Sequence, residues 1–512
     1  MKRKSTIITL DGFTITAGRA AGSIGRGTSG GGMVNDDGSP TVANITFRAN
    51  SAIGNGGGIF NDNNGSPILS NVTFTANSAH NGGGMYNNSG SSLTLTDIAF
   101  SANSASSGGG MYNASSSGNL ALSSVTFAAN SASSGGGGMY NNNSRSSVIL
   151  TNVTFSTNSA TGIGGGMRDS SNSPVLSNVA FNANSASSGG GIHYSGNGSP
   201  VLNNVTFNAN SATSGGGMLN ASNSPVLSNV VFSANSASSG GGIYNHTSNP
   251  VLNNVTFSAN AASFEGGGMY NFSTNPMLTN VILWGNQDSS GHSAFAQMYN
   301  ESSIPTIHSS LIQGSGGSDN WDTRLGIDGG NNLDADPLFV QNGDPSTDPP
   351  TLGDLHLQNG SPAIDAGNSL SVSLSTDLDG NRRIQGSAVD LGAFEATPDY
   401  GFFVQVEASH ETATVGETIV YTYRVINYES AAMTVVAVDD RLGDVALTPN
   451  PLMGQATATA TLTHTVVEAD RPRPLVNTLT VTGRDATDAP INEQVSVTVM
   501  LTSPLYLPLI AR

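Results

Sequence analysis

The chain has 512 residues, a formal net charge of −18 and no cysteine. The acidic balance excludes a Lys/Arg surface for nucleic acid and disfavours an anionic membrane, and the missing cysteine excludes disulfides, thiolate nucleophiles and Cys-ligated zinc together. Charged residues make up only 10%, and glycine is 64 of 512, against roughly 25% charged residues and 7% glycine in an average protein. The length allows about two to four domains, and no apolar run reaches the roughly 18–20 residues that a membrane-spanning helix needs.

The beginning, MKRKSTIITLDGF, is basic, but Asp11 arrives before an apolar stretch of about 7–15 residues can form. It does not read as a leader. The strand-like STIITLDGFTIT would open a first coil with no cap, so a leader and an N-terminal cap are expected upstream of Met1.

From there to about residue 290 one pattern recurs. Phe stands at 47, 74, 100, 127, 155, 181, 207, 232 and 257, at intervals of 25 to 28 residues. Asn follows each three residues later, as in Asn50, Asn130, Asn210 and Asn260, and a tenth copy uses Leu283 and Asn286. A glycine triplet precedes Met or Ile in ten places, from Met33 to Met269. Leu stands five residues and Val or Ile two residues before most of these Phe positions. Alternation puts Val205 and Phe207 on one face of a strand and Thr206 on the other. A second strand begins at the Met or Ile, and the position after it, which accepts Val34, Phe60, Arg168, His193, Leu219 and several Tyr, is expected to face solvent.

Strands of about three to five residues are too short to fold alone, and a repeat of this length with Gly/Asn corners fits one coil of a parallel β-helix. Coils would stack at about 4.8 Å, bringing the Phe rings into a column. Asn side chains would pair along the axis, with Asn and Gly also supplying left-handed corners.

The pair FxxN and GGG[MI] resembles the polymorphic outer-membrane protein repeat, whose pattern is GGA followed by an aliphatic residue, plus FxxN; here the third residue is Gly rather than Ala. The resemblance covers about residues 30–290 and implies a surface-exposed right-handed β-helix with a role in adhesion. NNLDADPLFV, GDLHLQNGSPAIDAGN and STDLDGNRRIQGSAVDLGAFE, within residues 331–395, are similar to the choice-of-anchor Q domain, which implies export rather than a reaction. Beyond residue 400 the glycine triplets vanish and alternating strands appear; ATVGETIVYTYRVIN resembles an Ig-like repeat domain of bacterial surface proteins. The expected fold is all-β: a right-handed parallel β-helix of pectin-lyase type over 1–315, its choice-of-anchor-like end over 316–396, an Ig-like β-sandwich over 400–502 and a tail over 503–512. A monomer at the cell surface or secreted is expected.

Parallel β-helices also carry polysaccharide lyases and hydrolases, which gather acids and bases in one groove to move protons. The repeats hold Asp36, Asp37, Asp62, Asp97, Asp169, Glu265 and Asp288 with Arg48, Arg145 and Arg168, and no acid–base set falls at one register on neighbouring coils. The reading is therefore a non-catalytic protein that binds glycan or protein through an exposed face. The alternatives are a pectin-lyase-type enzyme and a passive spacer whose C-terminal domain binds. The face singled out is the column Tyr86, Tyr112, Tyr140, Tyr244 and Tyr270, a contact surface or simply rings covering the sheet. No cofactor is required. Calcium could bind Asp36 and Asp62, which fall one rung apart, or Asp377 and Asp379 in DLDGN, where the glycine comes too early for an EF-hand; otherwise these are solvated acids and a turn. His193 and His246 lie at different registers and make no ligand pair. Asn-x-Thr triplets read as a strand-edge pattern rather than glycosylation acceptors.

Overall fold

The computed structural model describes residues 8–22, 25–88, 90, 92–114, 118–142, 148–171, 173–347, 350–396, 402–410, 412–427, 431–454, 456–471, 474–484 and 490–501. The readings made at Met1, Arg145 and the tail 503–512 lie outside these residues. The chain forms two compact units, one of Met1–Ile384 with Ala388–Glu395 and one of Gln385–Ser387 with Ala396–Arg512.

The first unit is a parallel β-solenoid of about ten turns. Its long sheet is built from strands of the type Val201–Asn208, split in two in the first and last coils, as in Thr41–Ala43 with Thr46–Arg48 and Met277–Thr279 with Ile282–Trp284. A second sheet of eleven strands contains the Met/Ile segments, such as Met218–Ala221. Short Ser/Ala strands, such as Ser104–Ser107, make the third side. Register is kept rung by rung: Leu202, Val205 and Phe207 pair with Leu227, Val230 and Phe232, all fully buried. The Phe rings from Phe47 to Phe257 stack with centroids 4.6 to 5.1 Å apart and planes within 7°.

A Leu five residues before a Phe would, by strict alternation, face away from it. The chain solves this with a left-handed residue between them: Asn204 has φ 55°, as do Asp97 and Ser124 in the copies that lack Asn. One residue is absorbed, as in a bulge, and Leu202 returns to the core side. The second corner departs from the sequence reading. Its left-handed residue is not the Asn of FxxN but the residue before it, such as Ala209 with φ 52°. The Asn must instead turn its amide inward. Asn210 Nδ2 donates to the Phe181 carbonyl at 2.8 Å and to Asn235 Oδ1 at 2.9 Å. Its own Oδ1 accepts from the Asn184 backbone and side chain, both at 3.0 Å. Left-handed alanine costs roughly 1–2 kcal/mol, and these buried bonds offset it.

The glycine triplet is needed for three separate reasons. Gly215 has φ 65°. A Cβ on Gly216 would sit 2.4 Å from the Gly241 carbonyl oxygen of the next rung, and one on Gly217 would sit 2.9 Å from the Phe232 ring.

The described residues of 331–395 form little regular structure beyond an antiparallel pair, Phe339–Gln341 with Asp354–Leu357. They fold back over the outer face of the long sheet at its last rungs. Asn229 and Asn280 donate to the carbonyls of Thr376 and Asn368 at 2.6 and 3.2 Å, Ser233 donates to that of Leu352 at 2.7 Å, and Thr256 Oγ1 accepts from the Ala393 amide at 3.0 Å. Outward residues such as Val231 and Thr256 are buried as a result.

The second unit has a three-stranded antiparallel sheet (Phe402–Ala408, Thr418–Asn427, Thr457–Thr465) and a five-stranded sheet centred on Leu475–Arg484 and Pro490–Leu501. Residues of both, among them Phe402, Tyr423, Leu475 and Val499, share one apolar core.

Candidate functional site

The tyrosines singled out by sequence share one register on the second sheet. Phe60 pairs with Tyr86, Tyr86 with Tyr112 and Tyr112 with Tyr140. Tyr244 pairs with Tyr270, and Tyr270 with Tyr299. Two aromatic blocks result, separated by Arg168, His193 and Leu219. In the first, Phe60–Tyr86 and Tyr86–Tyr112 centroids are 5.6 and 5.1 Å apart, Tyr140 meets Tyr112 edge-on at 4.7 Å, and the Arg168 guanidinium lies 4.3 Å over the Tyr140 ring. In the second, Tyr244–Tyr270 and Tyr270–Tyr299 are at 4.8 and 5.3 Å.

The expectation that this position faces solvent holds only in part. Tyr86, Tyr112 and Tyr244 are half-buried, whereas Phe60, Tyr140, Leu219 and Tyr270 are buried. Stacking covers each ring with its neighbours, and the left-handed glycine bend lies close to the base of the side chain, so close that a Cβ on Gly108 would come within 2.9 Å of Tyr112 Cβ. Burial, with the neighbouring Tyr112 and Asp62, pushes the Tyr86 hydroxyl up to about 12. Burial also raises Tyr270, which donates to Glu301 at 2.5 Å. These hydroxyls are protonated donors at any ordinary pH. His193, in the gap between the blocks, is pushed down to about 4 by burial and by Arg168, so it is neutral there.

Asp36 and Asp62 are register partners, one rung apart as the sequence indicated. Each carboxylate accepts an amide: Asn63 Nδ2 donates to Asp36 at 2.8 Å and Asn88 Nδ2 to Asp62 at 2.7 Å. Asp169 occupies a buried asparagine ladder, accepting from Asn141 at 2.9 Å and from Ser171, with burial raising its carboxyl. The Asn-x-Thr asparagines join an outward ladder of their own: Asn71 donates to Asn44 at 2.7 Å, and Asn204 donates at 3.2 Å to Asn178, whose copy reads Asn-Val-Ala.

Asp377 and Asp379 do not converge on one point. Asp377 is fully buried and accepts the backbone amides of Asp379, Asn381 and Glu395 at 3.1, 2.8 and 2.9 Å. Asp379 points elsewhere, to His356 Nε2 at 2.5 Å, while His356 Nδ1 meets Asp354 at 2.5 Å. Beside Asp377, the buried Arg383 lies 3.5 Å from buried Glu395 and donates to the carbonyls of Asp390 and Gly392 at 3.2 and 2.5 Å. Burial, with Asp390 beside it, pushes the Glu395 carboxyl up to about 9. Asp334 accepts the amides of Gly314 and Gly316 and thus closes a turn.

Among the described residues, no group of three or more His, Asp or Glu side chains is arranged to hold a metal ion, and no helix is long and apolar enough to cross a membrane. Sequence reasoning missed His356, whose two carboxylate partners are 2 and 23 residues away; no periodic signal marks it. Comparison with known proteins returns no matching family model, no matching curated protein and no matching solved structure.

Proposed function

We propose that the chain is a non-catalytic scaffold, displayed at the cell surface or secreted, that binds a glycan or a protein through the tyrosine column of its solenoid. The observation that carries this reading is the half-buried pair Tyr86 and Tyr112, stacked at 5.1 Å. Rigid stacked rings that present their edges and protonated hydroxyls suit recognition at low conformational cost. The wider assignment, a polymorphic-repeat helix with a choice-of-anchor Q domain and an Ig-like domain, draws on the sequence motifs. A non-catalytic role is supported by the solenoid acids: Asp169 and Asp288 are buried, and Asp36 and Asp62 are occupied by asparagine amides. Calcium at Asp36/Asp62 or Asp377/Asp379 is not required by the reading.

The test is a glycan-array and immobilised-host-protein screen of the full chain against Tyr86→Ser/Tyr112→Ser. Binding that drops at least tenfold in the variant, with an unchanged melting curve, is expected. Equal binding by both chains, or none by either, would overturn the reading.

A further inference from the structure

The outer face of the long sheet is covered at its last rungs and bare before them. Where the cover ends, a cleft of about 420 Å³ opens between the two. Asn208 and Ser233 line it from the sheet, and Asp354, His356, Leu378 and Phe394 from the returning chain. We propose that this cleft is a saccharide site, built for one or two neutral sugar rings.

The lining has the two-sided chemistry that a sugar presents. Phe394 and Leu378, both part-exposed, offer apolar surface to the C–H face of a pyranose. The same lining holds polar groups that can take hydroxyls in both senses, the Asn208 amide and the Asp354 carboxylate. Asp354 is the strongest acceptor. Its Oδ1 receives the His356 amide at 3.2 Å and ring Nδ1 at 2.5 Å, so the imidazole leaves Oδ2 for a ligand. Asp379 is a positioning residue: it holds the far side of the ring, at Nε2, and the ring packs on Phe394 with centroids 4.3 Å apart. The acceptor, the ring that orients it and the apolar platform are therefore one connected unit.

Charge selects among sugars. No Lys or Arg lines the cleft. The hydrogen bond from His356 holds the Asp354 carboxyl below its ordinary value, so it is ionised at neutral pH. Burial opposes the charging of His356, but Asp379 and Asp354 outweigh it and raise the ring; with two carboxylates around one imidazole the local charge stays negative even when the ring is protonated, so a uronate or sulfated sugar would be repelled.

The experiment is calorimetry with saturation-transfer NMR on the full chain. The probes are the methyl glycosides of glucose, galactose and mannose, N-acetylglucosamine, and galacturonate as the anionic control. At least one neutral sugar is expected to bind, tenfold or more tightly than galacturonate. Asp354→Asn should weaken it at least fivefold, and Asn208→Phe, which fills the cleft from the sheet side, at least tenfold, with each variant's melting curve checked first. Binding by no neutral sugar, binding unchanged in both variants, or galacturonate binding as tightly would overturn the inference. Sugar binding that survives both variants but is lost in Tyr86→Ser/Tyr112→Ser would place it on the tyrosine column, overturning the cleft while the surface reading stands.

Discussion

Replacing Asn210 by alanine should damage the solenoid far more than its small volume change suggests. The side chain is fully buried and takes part in four hydrogen bonds of 2.8 to 3.0 Å. Its removal leaves the Asn184 backbone N–H without its acceptor, one Asn184 amide hydrogen unpaired and the Phe181 carbonyl without its donor. Asn235 Oδ1 still accepts the Asn210 backbone N–H at 3.0 Å. An orphaned buried polar group costs about 1–3 kcal/mol, so three cost about 3–9 kcal/mol, and partial closure of the rung favours the lower half of that range. Asn208, the last residue of the preceding strand, is half-buried and makes one outward bond to Asn182 at 3.2 Å; Asn208→Ala should cost under about 1 kcal/mol. Because a solenoid's stability is a sum of neighbour terms, native-state hydrogen exchange is the assay. Protection should fall around residues 181–235 in Asn210→Ala and hold elsewhere. Equal protection in the two variants, or a loss below about 1 kcal/mol in Asn210→Ala, would refute the account of the ladder.

Two further outcomes follow from the first unit. The Glu395 carboxyl, raised from 4.5 to about 9 by burial and Asp390, gives stability that is fully present below the unfolded value and lost as pH rises to about 9. The wild-type unit should therefore lose stability between pH 5 and 9, and Glu395→Gln, which cannot ionise, should lose at least about 1 kcal/mol less, measured by thermal melts across that range. Gly216→Ala, whose Cβ would meet the Gly241 carbonyl oxygen at 2.4 Å, should force two rungs apart and lower the denaturant midpoint, whereas a wild-type midpoint would show that the rungs are less tightly spaced.

The repeat was legible because the solenoid makes every rung solve the same problem, so Phe207, Asn210 and Gly215–Gly217 announce themselves by recurrence. Periodicity did not reveal which residue takes the strained conformation: FxxN marks the Asn that makes the bonds, while the left-handed φ falls on Ala209, a residue with no signature. Nor did it show how far the outward tyrosines sink, since Tyr140 and Tyr270 are covered by neighbours one rung away. The returning segment was legible only as motif words. Its Asp377, Arg383 and Glu395 serve a single buried cluster, and its contacts join residues more than a hundred positions apart, beyond the reach of any local pattern.

The buried asparagine column points one way. Every amide from Asn50 onward donates to the next rung, until Asn286 donates to Gln297 Oε1 at 2.8 Å. A second column runs in the same sense from Asn35 and stops at Asp169, whose register partner on the next rung is Tyr194 rather than an amide, before a new run begins at Asn220. Each rung thus has a donating side and an accepting side, like a row of magnets laid head to tail. A duplicated or deleted repeat of 25–28 residues meets its neighbours with matching polarity and leaves the rest of the column intact. An inverted one would set donor against donor. The length of such a protein is therefore free to drift by whole rungs through unequal recombination, while its orientation is not.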